Sequence, residues 1–217
     1  MNKILVLCAA LFVAGCGAQS EERILSWHSL IVVEKSGDLL VTETIKVRAA
    51  GRVIQRGIFR DLPVLFDAKS KPPTKDFDQA LKKPIGVVSV KRNGEREHYG
   101  VENNGDGVTV RIGRREVFLK PGIYTYEITY RTGRQLFHEE DRDAVYWNVN
   151  GTGWSFPIDE VSATVTLPAG IKGTKIQGYT GKVNEKGEDY RAELTETGAA
   201  IATTRPFDPG ENLSLVL

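Results

Sequence analysis

From residue 39 onward the chain alternates apolar and polar side chains one for one, in segment after segment, and the three-to-four spacing of an amphipathic helix hardly occurs. Leu39, Val41, Glu43, Ile45 and Val47 form one face, and Leu40, Thr42, Thr44, Lys46 and Arg48 the other. Val108, Val110 and Ile112 repeat the pattern, as do Tyr124, Tyr126, Ile128 and Tyr130, and Val161, Ala163, Val165 and Leu167. Period two means a strand with one wet and one dry face, the pattern of antiparallel sheets. Turn residues separate the runs: Lys35-Ser36-Gly37-Asp38, Asn93-Gly94, Asn103 to Gly107, Lys120-Pro121-Gly122, Pro168-Ala169-Gly170 and Asn184 to Gly187.

Strands are therefore expected near residues 24–34, 39–48, 85–92, 96–102, 108–113, 123–132, 144–150, 160–167, 174–179, 189–195, 199–204 and 212–217. The fold class is all-β: an antiparallel β-sandwich of immunoglobulin-like, Greek-key type with one long loop. That loop is residues 60–84, rich in Lys, Asp and Pro, with room for one helical turn over 76–81.

The N-terminus reads differently. Lys3 precedes an apolar run from Ile4 to Val13, about the length of a signal-peptide core and short of the roughly 20 residues a spanning helix needs. It ends in Val13-Ala14-Gly15-Cys16, which resembles the bacterial lipobox, a signal whose cysteine is diacylated. Residues 1–15 are then a lipoprotein signal peptide, 16–22 a tether and 23–217 the folded domain. Cys16 is the lipidation site, and the membrane is a partner through it, since two or more acyl chains suffice for stable anchoring. The expected address is the bacterial cell envelope, on the periplasmic or extracellular face. The absence of Asp after Cys16 leans toward the outer membrane.

Cys8 and Cys16 are the only cysteines, so the domain contains neither a disulfide nor a thiolate metal site. His28, His98 and His138 share no ligand spacing, and His138-Glu139-Glu140-Asp141 lacks the zinc-protease pattern. No metal or other cofactor is implied. One of the 29 basic residues, Lys3, lies in the leader, which leaves the mature charges balanced; nothing favours nucleic acid.

Three groups of residues carry possible chemistry. Glu43 falls on the apolar face of its strand, where a carboxylate needs a cation; Arg56, Arg60 and Arg131 are the candidates for a structural ion pair. Arg56, Arg60 and Asp61 crowd around Phe59, as a recognition corner for an acidic or sugar partner or as an internal Arg–Asp network. Trp147, Asn148, Asn150 and Trp154 flank a Gly-containing turn, as a carbohydrate-binding surface does, or else belong to the core. The expected function is a non-catalytic protein- or glycan-binding module. The alternatives are a structural ectodomain of a membrane assembly and a hydrolase using Glu43, Asp61 or Asp159.

Several segments carry a family resemblance: Val41-Thr42-Glu43-Thr44, Arg56-Gly57-Ile58-Phe59-Arg60-Asp61-Leu62-Pro63, Tyr126-Glu127-Ile128-Thr129-Tyr130-Arg131-Thr132, and the aromatic stretch from Tyr146 to Asp159. Together they look like the N-terminal extracytoplasmic domain of the DUF2207 family of predicted membrane proteins, over roughly residues 23–217. The resemblance implies architecture and location but no reaction. It also implies transmembrane helices beyond the domain. Either a longer chain carries them, or the lipid at Cys16 takes their place.

Overall fold

The computed structural model describes residues 21–63, 85–103, 107–133, 135–138 and 142–217. Cys16, most of the tether, the leader and the segment 64–84, including the turn expected over 76–81, lie outside the described residues.

Fifteen strands are described: β1 (Arg23–Val33), β2 (Leu39–Ala49), β3 (Ile58–Pro63), β4 (Ile85–Arg92), β5 (Glu95–Arg96), β6 (Tyr99–Asn103), β7 (Gly107–Ile112), β8 (Gly122–Thr132), β9 (Leu136–His138), β10 (Asp143–Asn148), β11 (Val161–Thr166), β12 (Gln177–Gly181), β13 (Tyr190–Thr195), β14 (Gly198–Thr203) and β15 (Asn212–Val216). The chain is all-β, as expected, and no helix occurs among the described residues. The strands group into three hydrogen-bonded sheets where two were expected. Eight run in the order β13-β14-β11-β1-β2-β8-β4-β5, four in the order β12-β15-β10-β9, and three in the order β3-β7-β6.

Two details depart from the sequence reading. β1 and β11 pair in parallel, Trp27 opposite Val161 and Ile31 opposite Val165. Alternation has the same period whichever way a neighbour runs, so it cannot report direction. Residues 60–63, expected in the long loop, instead belong to β3 (58–63), paired antiparallel with β7 from Ile58 opposite Ile112 to Pro63 opposite Gly107. An arginine at a buried position and a terminal proline hide this strand from a hydropathy pattern.

The alternating residues do what their period demands. Leu39, Val41, Glu43, Ile45 and Val47 are fully buried, as are Tyr126, Ile128 and Tyr130 across the β2–β8 ladder. They pack with Trp27, Ile31, Val110, Val161 and Leu213 in one core, where each large apolar side chain contributes about 1.5–3 kcal/mol. Glu43 therefore stands in the middle of an apolar face, with Ile128 opposite it.

Candidate functional site

Burying Glu43 is costly unless its oxygens are satisfied. Of the three candidate arginines, Arg60 reaches it. Alternation in β3 turns Ile58, Arg60 and Leu62 inward and leaves Phe59 and Asp61 exposed. Arg60 Nε donates to Glu43 Oε2 at 2.8 Å and Nη2 to Oε1 at 2.7 Å, a two-pronged fork. The Tyr130 hydroxyl donates a third bond to Oε1 at 2.8 Å. The remaining Arg60 nitrogen, Nη1, donates to the carbonyls of Asp61 and Asn150, each at 3.1 Å. The guanidinium also lies 4.9 Å from the centre of the Trp27 ring.

The same Asn150 carbonyl accepts the Trp154 indole N–H at 2.9 Å. Trp154 in turn sets its ring against Trp27 edge-on, with centroids 5.3 Å apart. Asn150 is itself pinned from both ends of its amide. Nδ2 donates to the Glu211 carbonyl at 2.8 Å, and Oδ1 accepts from the Leu213 N–H at 2.9 Å. One guanidinium thus ties the eight-stranded sheet, through Glu43, to the segment that follows β10 of the four-stranded sheet, while itself belonging to the three-stranded one.

The electrostatics follow. Burial opposes charge on Arg60, but the Glu43 carboxylate outweighs it and raises the guanidinium further above its ordinary value. Burial, then the negative charge of Glu43, pushes the Tyr130 phenol well up. Both groups keep their protons, and both are engaged as donors.

The other sequence candidates are placed elsewhere. Arg131 points away from the core and pairs with Glu34 at 2.7 Å, since residues 128 and 130 take the inward positions of β8. Arg56 is exposed, its guanidinium 3.9 Å from the centre of the Phe118 ring. Neither arginine takes part in the Glu43 pair. Asp61 accepts the Thr109 hydroxyl at 2.6 Å, and Asp159 pairs with Arg23 at 2.5 Å. Asn148 is exposed and accepts the Ser214 hydroxyl at 2.7 Å.

Of the two readings of Trp147 and Trp154, a carbohydrate surface or the core, their burial fits the core: they are 8% and 9% exposed, so neither offers a ring face to a sugar. Trp147 alternates inward with Val145 and Val149 and stacks on Tyr130. Asn150 is likewise fully buried.

Three groups escaped the sequence reading. Tyr130 was visible as an inward residue, and its need for an acceptor could have pointed to Glu43. Glu22, at the end of the tether, accepts backbone N–H bonds from Ala50, Arg52, Val53 and Ile54. Burial alone would raise its carboxyl, but the four amides together outweigh that and hold it below the usual carboxylate range. Third, the parallel β1–β11 register sets His28 beside Ser162, with Nδ1 3.0 Å from Oγ, in a shallow groove of about 470 Å³ on the outer face of the large sheet.

This fold and this chain have relatives. The model described as "Predicted membrane protein (DUF2207) N-terminal domain" matches residues 23–217. The chain belongs to the DUF2207 family. The uncharacterized protein YciQ of Escherichia coli (strain K12) is 30% identical over 213 residues, covering 94% of this chain and 32% of YciQ. The chain thus spans about a third of that relative's length. Among solved structures, native yeast LTA4 hydrolase superposes with a TM-score of 0.54 at 11% identity, over 90% of this chain and 29% of the hydrolase. Its complex with bestatin gives 0.53 at 10% identity, over 89% and 28%. At such identities the likeness concerns the fold alone. DUF2207 members are predicted membrane proteins, and no helix among the described residues is long and apolar enough to cross a membrane.

Proposed function

We propose that this DUF2207 domain is a non-catalytic ectodomain, held at the surface of a bacterial membrane by acyl chains on Cys16, that engages another envelope protein. The observation that carries the reading is the state of Glu43. This carboxylate is fully buried and accepts three hydrogen bonds from Arg60 and Tyr130, which leaves it no route to a substrate. A glycan partner has lost its best support with the two tryptophans inside. Membership of a family of predicted membrane proteins and the Val13-Ala14-Gly15-Cys16 motif support the address.

Two substitutions test the two halves of the proposal. A Cys16→Ser chain should leave the membrane fraction on alkaline washing, and one retained as firmly as the parent would remove the lipid anchor from the account. A Glu43→Gln chain should melt earlier yet keep its crosslinked envelope partners. If it melts like the parent and loses cellular function, Glu43 is chemical rather than structural.

A hydrolytic reading has one observation in its favour, the His28–Ser162 contact. The Ser162 hydroxyl, however, also faces the Trp27 carbonyl at 3.3 Å, an acceptor that competes with the imidazole for its one proton. A serine-directed fluorophosphonate that labels the parent and spares Ser162→Ala would favour hydrolysis after all.

A further inference from the structure

Beyond the buried cluster, one edge of the molecule combines features that the proposed function has not used. The segment 51–56 lies within the connection from β2 to β3, and the segment 113–121 connects β7 to β8. The Leu119 N–H donates to the Gln55 carbonyl at 2.7 Å, and Arg56 lies over Phe118, so the two loops form one ridge. Ile54 and Leu119 anchor it in the core, while Val53 and Phe118 project, 68% and 63% exposed. Around these apolar tips the two loops carry five basic residues and one acid, in a chain whose overall charge is close to neutral. Arg114, Arg115 and Lys120 are exposed and make no ion pair among the described residues.

The position of the ridge matters as much as its composition. Glu22 grips the first loop through the amides of residues 50 and 52–54. Five residues lie between Cys16 and Glu22, so the two are at most about 22 Å apart. An acyl chain on Cys16 therefore keeps this ridge near the bilayer.

We infer that the paired loops 51–56 and 113–121 are a membrane-docking edge that lies on anionic phospholipid, with Val53 and Phe118 in the acyl boundary and Arg114, Arg115 and Lys120 among the phosphates. Exposed aromatics beside basic side chains are the composition of an interfacial anchor, and each Lys or Arg near an anionic surface strengthens binding roughly fivefold. A single lipid-facing edge would fix which way the domain presents itself to a partner. The inference rests on the membrane attachment proposed above and adds an orientation to it.

Hydrogen exchange on the full chain bound to vesicles tests it. On vesicles of phosphatidylglycerol in phosphatidylcholine, amides of 51–56 and 113–120 should exchange about fivefold or more slowly than on phosphatidylcholine alone. High salt should abolish the slowing. The turn 168–171, at the other end of the large sheet and with Ile171 exposed, should not respond. Arg114→Glu with Arg115→Glu should remove the effect while leaving exchange in β2 and β8 unchanged, which controls for folding. Equal exchange on both vesicle types, slowing that survives both charge reversals, or slowing that appears only with added envelope protein overturns the inference. A Cys16→Ser chain separates the two claims. If it stays bound to neutral vesicles as firmly as the parent, the lipid anchor falls, and the exchange contrast on anionic vesicles still decides the docking edge.

Discussion

Arg56 and Arg60 stand four residues apart in one short motif, and each lies over an aromatic ring, yet they inhabit opposite regions of the molecule. Arg60 is buried against Trp27 with its N–H groups donating to Glu43, Asp61 and Asn150. Arg56 is exposed above Phe118, on a ridge where Arg114, Arg115 and Lys120 make no ion pair among the described residues. The difference is made by the backbone. Gly57, at φ +146°, turns the chain into β3, and the alternation that starts at Ile58 sends Arg60 inward. A guanidinium in a motif is therefore neither structural nor functional by composition; what its surroundings can satisfy decides.

The largest effect should come from breaking the inner region. Arg60→Ala leaves Glu43 buried with only the Tyr130 hydroxyl and should cost about 3–5 kcal/mol, a melting temperature roughly 10 °C lower. Replacing both partners by apolar residues, Glu43→Leu with Arg60→Met, should cost less than Arg60→Ala alone, because no charge is then stranded. Thermal melts of the three chains check this. A double variant worse than the single one would show that the pair is needed to hold the sheets in register.

The hinge between the regions should come next. A Cβ on Gly57 would lie 1.8 Å from the Ile112 carbonyl oxygen, and one on Gly113 would lie 2.0 Å from that of Arg56. Gly57→Ala should therefore cost about 3 kcal/mol by forcing these backbones apart. Denaturant unfolding measures the loss, and a neutral Gly57→Ala would mean that the turn into β3 is loosely held.

Glu22 should give a smaller, local and pH-dependent effect. Its carboxyl titrates lower in the folded chain than in the unfolded one. The stability it contributes is thus complete above the ordinary carboxylate range and is lost as pH falls through the lowered folded value. Glu22→Gln should cost about 1–3 kcal/mol at neutral pH and flatten that acid dependence. Amide exchange in residues 50–54 reads both, and an unchanged acid profile in Glu22→Gln would detach this group from the loop's stability.

Much of the inner region was legible in the sequence. Period two placed Glu43 and Tyr130 inward and required a cation for the former. The choice among three arginines was not legible, because β3 carries its arginine where a hydrophobic residue would announce a strand, and Pro63 with the charges beyond it reads as loop. Trp147 and Trp154 were ambiguous for a related reason. An aromatic beside an amide suits a sugar or a core equally, and the groups that pin Asn150, at Glu211 and Leu213, lie some sixty residues away along the chain. Distance in sequence also hid the parallel β1–β11 pair and the Glu22 grip on 50–54. Such contacts are set by which sheet edge a returning strand meets, and composition does not encode that locally.

The smallest effect on stability belongs to the outer region, and there it sharpens the comparison most. Arg56→Ala removes an exposed cation–π contact worth about 0.5–1 kcal/mol and uncovers no buried charge, so its melt should nearly overlay the parent's. Lys91→Ala, which breaks the part-exposed pair with Glu127, should behave alike, within about 1 kcal/mol. The two should part on anionic vesicles. Arg56 belongs to the ridge, and its loss should lessen the slowing of exchange in 113–120, whereas loss of Lys91 on the outer face of the sheet should not. Arg56→Lys keeps the charge but gives up the planar stacking on Phe118, so it should preserve most of the lipid response. If Arg56→Ala instead melts as early as Arg60→Ala, the outer arginine is part of the same internal network, and the contrast between the two regions collapses.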